Sequence, residues 1–261
     1  MLQRRDLIKA GLAVAASAAL ANVNEYSKGQ SAALAGAIAA AGPRRHELLD
    51  ANWRFQALAG KTVDHSVPHA AATHAQVAED FDDSAWRVVQ LPHDYIVEGK
   101  YDPKADKGHG FLPVYPAWYR RHFSLAASDS GKAVWLDFEG VYRDAHVYLN
   151  GKLLGRHQGG YTPFRFDISK SANFGGDNVL AVYVDPTKFE GWWYEGGGIY
   201  RHVWLNVADP VHVLPWGVYV TSDVHDVLDK ASADLTIQTS VVNESHQHAQ
   251  FIACIIKCRG H

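Results

Sequence analysis

Short stretches of strict two-residue alternation between apolar and polar side chains recur through the middle of the chain. They comprise residues 117–125 and the apolar positions of four later stretches: Val134, Leu136 and Phe138; Ala145, Val147 and Leu149; Phe164, Phe166 and Ile168; and Leu180, Val182 and Val184. Period two is typical of β-strands, because successive side chains point to opposite faces. Asn150-Gly151 follows one stretch directly and predicts a hairpin, since both residues tolerate positive φ in a type I′ turn. No stretch has a convincing helical period, so the pattern predicts an all-β antiparallel sandwich of jelly-roll type.

The strand pattern divides the chain into a long body and a shorter C-terminal part. Further strands are predicted at 52–55, 86–89, 203–207, 211–220 and 234–242. Residues 61–79, rich in His and Ala, are predicted to form a surface loop, and the body is placed at residues 43–208. Asp209-Pro210 marks a boundary. Residues 209–261 then supply about half of an immunoglobulin-like sandwich, which needs roughly 100 residues, so this second domain is expected to be incomplete.

Residues 1–42 form an N-terminal segment that is set aside from the fold. Arg4-Arg5 precede an Ala-rich apolar run at 10–21, and a second small-residue run at 32–41 ends before Gly42-Pro43. Paired arginines ahead of a short, weakly hydrophobic run resemble a bacterial twin-arginine export signal. The alternative is an uncleaved anchor, but the run is shorter than the roughly 20 residues of a membrane span. The expected location is therefore periplasmic or extracellular, with no membrane association after signal removal.

Charge and cysteine content exclude several classes of protein. The formal net charge of −3 gives no basic footprint for nucleic acid. Two cysteines in 261 residues cannot supply a disulfide framework for the body. The eight Trp, twelve Tyr and ten Phe are typical both of a protein that handles sugars and of a well-packed β core.

The stretch at 190–205, EGWWYEGGGIYRHVWL, carries the clearest functional signal. Three consecutive aromatic residues, Trp192, Trp193 and Tyr194, precede a run of three glycines. Consecutive rings do not suit a strand and indicate a loop with exposed flat rings, on which the C–H faces of a sugar can stack. Bare glycine backbone can approach a ligand closely. The alternative is that the rings close a sheet edge and the glycines only form the turn.

Other motifs have weaker signals. His93-Asp94 could hydrogen-bond a sugar hydroxyl, but an Asp near a turn more often accepts backbone N–H groups. Arg143-Asp144 is expected to be an ion pair or a turn fastening. The glycines at 159–160 and 196–198 lack the Gly-Lys-Ser/Thr ending of a phosphate loop. No metal site is expected near the end of the chain, because the spacing of its His and Cys residues matches no standard zinc pattern. These residues are His246, His248, Cys254 and Cys258.

Five ordered blocks of the sequence resemble one enzyme family. FDDSAWRVVQLPHDY, AWYRRHFSL, FEGVYRDAHVYLNGKLLGRHQGGYTPFRFDIS, NVLAVYVD and WWYEGGGIYRHVWL follow the order of the N-terminal sugar-binding domain of family 2 glycoside hydrolases. That family includes β-galactosidases, β-glucuronidases and β-mannosidases. The resemblance covers about residues 52–242 and implies a galactose-binding-like jelly roll followed by an immunoglobulin-like domain.

The resemblance also implies a division of labour. Family members continue into a TIM barrel whose two glutamates cleave the glycosidic bond with retention. This chain ends before those glutamates, so we expect no catalytic residue and no activity of the isolated chain, and Glu139, Glu190 and Glu195 are not assigned to catalysis. Glu139 is expected to be a solvated edge residue. No cofactor is expected. The partners implied are a β-glycoside carbohydrate and the barrel, and the loops near the sugar pocket give the candidate binding residues Trp192, Trp193, Tyr194, His109 and Asp94.

Three interpretations of the function remain open at this point. The first reading is the N-terminal part of an exported, β-galactosidase-like family 2 enzyme. The same sandwich could instead be a stand-alone carbohydrate-binding module, or a non-catalytic fragment that merely folds.

Overall fold

The computed structural model describes residues 44–58, 75–225, 232–245 and 247–248. The strands are β1 (Arg45–Leu48), β2 (Trp53–Ala57), β3 (Arg87–Val89), β4 (Ala117–Ser124), β5 (Ala133–Phe138), β6 (Ala145–Leu149), β7 (Lys152–His157), β8 (Phe164–Asp167), β9 (Asp177–Val184), β10 (Val203–Ala208), β11 (Val211–His225) and β12 (Ser232–Asn243). Three short 3₁₀ turns lie at Ala75–Val77, Lys107–His109 and Ala127–Asp129. No helix in this part of the chain is long and apolar enough to cross a membrane.

Arg44–Ala208 forms one compact unit of two antiparallel sheets. The four-stranded sheet has the order β1-β10-β5-β8, and the six-stranded sheet has the order β3-β2-β4-β9-β6-β7. The alternating apolar residues of both sheets meet in one core, which contains Leu136, Val147, Val182 and Leu205. The expected all-β antiparallel sandwich is therefore confirmed.

The six-stranded sheet also buries part of its second face. Trp118, Tyr148 and Tyr183 pack there beneath Val77 and Trp86. This covering layer is the reason that much of β4, β6 and β9 is buried on both sides of the sheet.

Arg120 fastens the covering layer to the sheet. Its side chain is fully buried, its Nε donates to Asp83 at 2.8 Å, and its guanidinium also donates to the carbonyls of Gln76 and Ala78. A buried guanidinium is tolerated when its donors are paired in this way. The layer is thus held by charge-assisted hydrogen bonds as well as by apolar contact.

The predicted hairpin turn lies between β6 and β7. Asn150 and Gly151 have φ values of 50° and 76°, in agreement with the sequence motif. Two strands were not predicted. β1 is a polar edge strand, and β7 lacks clean alternation and contains a register shift against β6.

The described residues from Asp209 onward belong to a second unit. It contains one long antiparallel hairpin, β11–β12, with a register shift between Val213 and Val218. The two predicted strands of this region are present. The expected export segment, residues 61–74 of the loop predicted at 61–79, and His246, Cys254 and Cys258 lie outside the described residues. The end of the predicted surface loop differs from the prediction, because Ala75–Val77 form a 3₁₀ turn whose Val77 is buried against the six-stranded sheet.

Candidate functional site

The connection from β9 to β10 is a loop whose glycines form backbone hydrogen bonds with the rest of the unit. Gly198 exchanges both backbone hydrogen bonds with Tyr142, at 2.7 and 2.9 Å, and the Gly197 carbonyl accepts the Tyr95 N–H at 3.0 Å. The loop that presents the aromatic residues is therefore anchored on both sides immediately after the rings.

The glycines are required by internal packing. Gly196, Gly197 and Gly198 are buried. Gly198 has a φ of 128°, and a Cβ at this position would lie 2.5 Å from both the His93 carbonyl oxygen and the Tyr119 hydroxyl. The expectation that bare glycine backbone approaches a ligand here is therefore wrong, because that backbone faces the protein interior. For the glycines, the structural alternative holds.

The aromatic residues are exposed, as the pattern of consecutive rings predicts. The exposed fraction is 94% for Trp192, 56% for Trp193 and 38% for Tyr194. The Trp193 indole N–H donates to the Tyr161 hydroxyl at 3.2 Å. The loop thus combines exposed rings with a buried, hydrogen-bonded glycine segment that follows them.

Asp94 connects the aromatic loop to the segment at residues 94–96 by hydrogen bonds. Its Oδ1 accepts the N–H groups of Ile96 and Gly197 at 3.1 and 3.0 Å, and its Oδ2 accepts the Tyr194 hydroxyl at 2.8 Å. Burial, and then the hydrogen bond to Asp94, raise the pKa of Tyr194 well above its usual value, so the phenol keeps its proton and remains a donor. Both carboxylate oxygens are used within the protein, as the structural interpretation of this motif expects.

His109 lies beneath the loop and not on its surface. It is 5% exposed, and its ring stacks on Phe189 with centroids 3.5 Å apart. The 3₁₀ turn that carries it begins with Asp106, whose side chain accepts the Gly108 N–H. His109 can therefore shape a binding surface mainly by supporting Phe189.

A groove runs between this 3₁₀ turn and the aromatic loop. Its volume is about 660 Å³, and it is lined by Asp106, Lys107, Gly108, His109, Phe189, Glu190, Gly191 and Trp192. The groove brings together two of the candidate residues, His109 and Trp192. Asp94, Trp193 and Tyr194 are not part of its lining and act beside it.

Arg143 and Asp144, which the sequence predicts to form an ion pair or to fasten a turn, have their partners elsewhere in the chain. Arg143 pairs with Glu190 at 2.6 Å and donates to the Lys188 carbonyl at 2.6 Å. Asp144 pairs instead with Arg156, at 2.5 and 2.7 Å. Arg143 and Asp144 therefore fasten different segments and do not form an ion pair with each other. Only the three-dimensional arrangement reveals these partners.

Glu139 is not the solvated edge residue that its position suggested. It is partly buried, and its Oε1 accepts the Trp204 indole N–H at 2.9 Å. Among the described residues, no group of three His, Cys, Asp or Glu side chains could hold a metal ion.

The comparison with known proteins agrees with this geometry. Residues 96–195 match the family model described as glycosyl hydrolase 2 galactose-binding domain-like. A β-galactosidase of Bacteroides ovatus is 36% identical over 215 residues, which cover 81% of this chain and 23% of that protein. A β-glucuronidase of Formosa agariphila is 33% identical and covers 63% of this chain and 19% of its own length.

Solved structures give the same relationship. A β-glycosidase from Bacteroides vulgatus superposes with a TM-score of 0.65 at 32% identity, covering 78% of this chain and 25% of its own. A glycosyl hydrolase family 2 member from Bacteroides cellulosilyticus has a TM-score of 0.62 at 29% identity, with 77% and 25% covered. The chain thus spans about a quarter of the length of these relatives and corresponds to their N-terminal part.

Proposed function

Because this chain belongs to glycoside hydrolase family 2, we propose that it forms part of the sugar-binding wall of an enzyme that hydrolyses O-glycosidic bonds, with β-galactosides as substrates. The observation that carries this proposal is the exposed aromatic loop beside the groove. Trp192 and Trp193 precede a buried, hydrogen-bonded glycine segment and still expose most of their side-chain surface. Proteins seldom expose such residues together without a binding role.

The chemistry of the groove suits a neutral, hydroxyl-rich ligand. Flat rings provide apolar contact for the C–H faces of a sugar, and the rim adds the charged side chains of Asp106 and Lys107. Glu190, the other carboxylate of the lining, is neutralised by Arg143. The groove therefore offers stacking and hydrogen bonding without a strong net charge.

The bond-cleaving step is assigned to a partner domain. In a retaining glycosidase, one carboxyl group protonates the leaving oxygen while a second attacks the anomeric carbon, with the two about 5–5.5 Å apart. We propose that a TIM barrel supplies both carboxyl groups and that the residues described here contribute to binding of the sugar. The 261-residue chain alone is accordingly expected to bind but not to hydrolyse.

The test is a pair of substitutions with a matched control. Trp192→Ala and Trp193→Ala should each weaken binding of a β-galactoside to the purified chain about tenfold, or about 1.4 kcal/mol. In the complete enzyme, Trp193→Ala should raise KM or lower kcat/KM. Trp216→Ala, which removes another exposed ring on β11, serves as the control and should leave binding unchanged. Normal binding by both variants, with only a loss of stability, would assign the rings to packing.

A stand-alone carbohydrate-binding module is the second candidate. One observation favours it. All residues that line the groove belong to the single compact unit Arg44–Ala208, so the groove does not need a second domain to be formed. An affinity of the 261-residue chain for oligosaccharides that does not change when the barrel is joined to it would support this module. An affinity that increases when the barrel is present would support the first proposal.

We also propose that residues 1–42 direct export to the periplasm or the extracellular space, on the basis of the paired arginines and the short apolar run.

A further inference from the structure

Three buried polar atoms meet without hydrogen-bond partners beneath the aromatic loop. They are the Glu195 Oε2, the His109 Nδ1 and the Tyr142 hydroxyl. The side chains of Glu195 and His109 are only 2% and 6% exposed. The adjoining space, lined mainly by apolar side chains, has no room for a water molecule. Since buried polar groups are almost always hydrogen-bonded, each of these atoms needs a partner within the protein.

His109 contacts both ends of the loop that presents the rings. Its imidazole stacks on Phe189 at 3.5 Å, before the rings, and its Nδ1 lies 3.5 Å from the Glu195 Oε2, after them. The other oxygen of Glu195 accepts the Glu190 N–H at 2.9 Å. The imidazole of His109 and the carboxylate of Glu195 thus connect the two ends of the loop, at Phe189 and Glu190 on one side and at Glu195 on the other.

The other groups around the His109 imidazole and the Glu195 carboxylate leave these two available to hydrogen-bond with each other. Burial, and then the neighbouring Glu195, raise the pKa of Tyr142, so its hydroxyl stays protonated and can only assist as a donor toward the carboxylate. The remaining charged or titratable groups nearby are engaged elsewhere or exposed: Arg143 with Glu190, Asp94 with Tyr194, Asp106 with the Gly108 N–H, and Lys107 on the surface. An unpaired buried carboxylate is strongly unfavourable, whereas a hydrogen bond from the imidazole Nδ1–H would compensate it.

We propose that His109 and Glu195 form a buried, charge-assisted hydrogen-bonded pair that holds the loop at residues 189–195 in its ligand-binding shape. Both act as positioning residues, because the two atoms that would pair, the His109 Nδ1 and the Glu195 Oε2, are buried beneath the loop. The inference rests on the proposed function only for the identity of the ligand, since the pairing itself can be tested without one.

The experiment uses the full 261-residue chain and three variants. Glu195→Gln keeps an oxygen for the Glu190 N–H but removes the charge, Glu195→Ala removes both, and His109→Phe keeps the stack on Phe189 but removes the polar atom. Nitrogen-15 NMR should detect a hydrogen bond from the His109 Nδ1–H in the wild type, and this bond should be weaker in Glu195→Gln and absent in Glu195→Ala. Hydrogen exchange at the Glu190 amide should be about tenfold faster in Glu195→Ala, and close to wild type in Glu195→Gln.

Ligand binding supplies the second readout. Glu195→Ala and His109→Phe should each weaken binding of a β-galactoside about tenfold, and the double variant should be no worse than either single one, since the two residues act as a unit. His46→Phe, which replaces a histidine stacked on Trp204, is the matched control and should bind normally. Absence of a hydrogen-bonded Nδ1–H on His109 in the wild type, or additive losses in the double variant, would overturn the pairing. Absence of binding by the wild type would refute the proposed function alone, because the NMR and exchange results still decide the pairing.

Discussion

Asp94 offers the sharpest test of how the aromatic loop is held. Asp94→Ala removes the acceptor of three hydrogen bonds, from the N–H groups of Ile96 and Gly197 and from the Tyr194 hydroxyl. A hydrogen bond to a charged group contributes about 1.5–3 kcal/mol net, and an abandoned buried donor costs about 1–3 kcal/mol. Gly197 is buried, but the Tyr194 hydroxyl is near solvent and can be rehydrated. We therefore expect a loss of about 3 kcal/mol, and not the full sum of the three bonds.

Asp94→Asn separates the acceptor from the charge. Its amide oxygen can still accept both backbone N–H groups, and its amide nitrogen can donate to the Tyr194 oxygen, so the expected loss is about 1 kcal/mol. The free energy of unfolding is measured by urea denaturation followed by tryptophan fluorescence. Asp102→Ala is the control, because Asp102 makes only one local bond, to the Lys104 N–H in an exposed loop. It should cost less than about 0.5 kcal/mol.

Two results would refute this reasoning. If Asp94→Ala is no less stable than Asp102→Ala, the three bonds do not hold the loop. If Asp94→Ala keeps its stability but loses glycan binding, the carboxylate contacts sugar directly and the structural interpretation is wrong.

Three further predictions follow from the described residues and the sequence. Gly198→Ala should destabilise the unit by about 3 kcal/mol or more in urea denaturation, whereas Gly131→Ala, with a φ of 83° and nothing within 4 Å of its Cβ, should cost about 1 kcal/mol. Burial raises the pKa of Asp144, but its arginine partner outweighs this and leaves the pKa below 3.8. Its contribution to stability is thus complete above pH 3.8 and is lost as the pH falls through the lowered folded value, and Asp144→Asn should flatten that part of an acid titration. Replacement of Arg4 and Arg5 by lysine should abolish export of a reporter fused after residue 42, and continued export would contradict the twin-arginine assignment.

The fold was largely predictable because its main determinants are local. The alternation in β5, β6, β8 and β9 is written in consecutive residues, and the Asn150-Gly151 turn depends only on the φ values that these two residues tolerate. β1 could not be predicted, since an edge strand with the sequence RHEL buries little and has no apolar period. Its position depends on pairing with β10, which lies far along the chain.

The site was predictable only in part, for the same physical reason. Exposed consecutive rings can be inferred from the absence of a strand period, and the structure places them in a loop. The partners that hold them cannot be inferred, because Asp94 and Tyr194 are 100 positions apart. His109 and Glu195 are likewise brought together only by the packing of two loops.

In the aromatic loop, we expect the exposed rings to contribute to ligand binding and the buried glycines to contribute to stability. Two substitutions can test this separation. Trp192 is almost fully exposed, so Trp192→Ala removes contact area for a ligand but little for the fold. Gly197 is buried, and a Cβ there would lie 2.8 Å from the Ile96 side chain, so Gly197→Ala should destabilise the unit by about 1–3 kcal/mol. Glycan titration and urea denaturation of both variants should therefore give opposite orders of severity. If both variants lose binding and stability to the same extent, the rings are part of the packing and the loop has no separable binding surface.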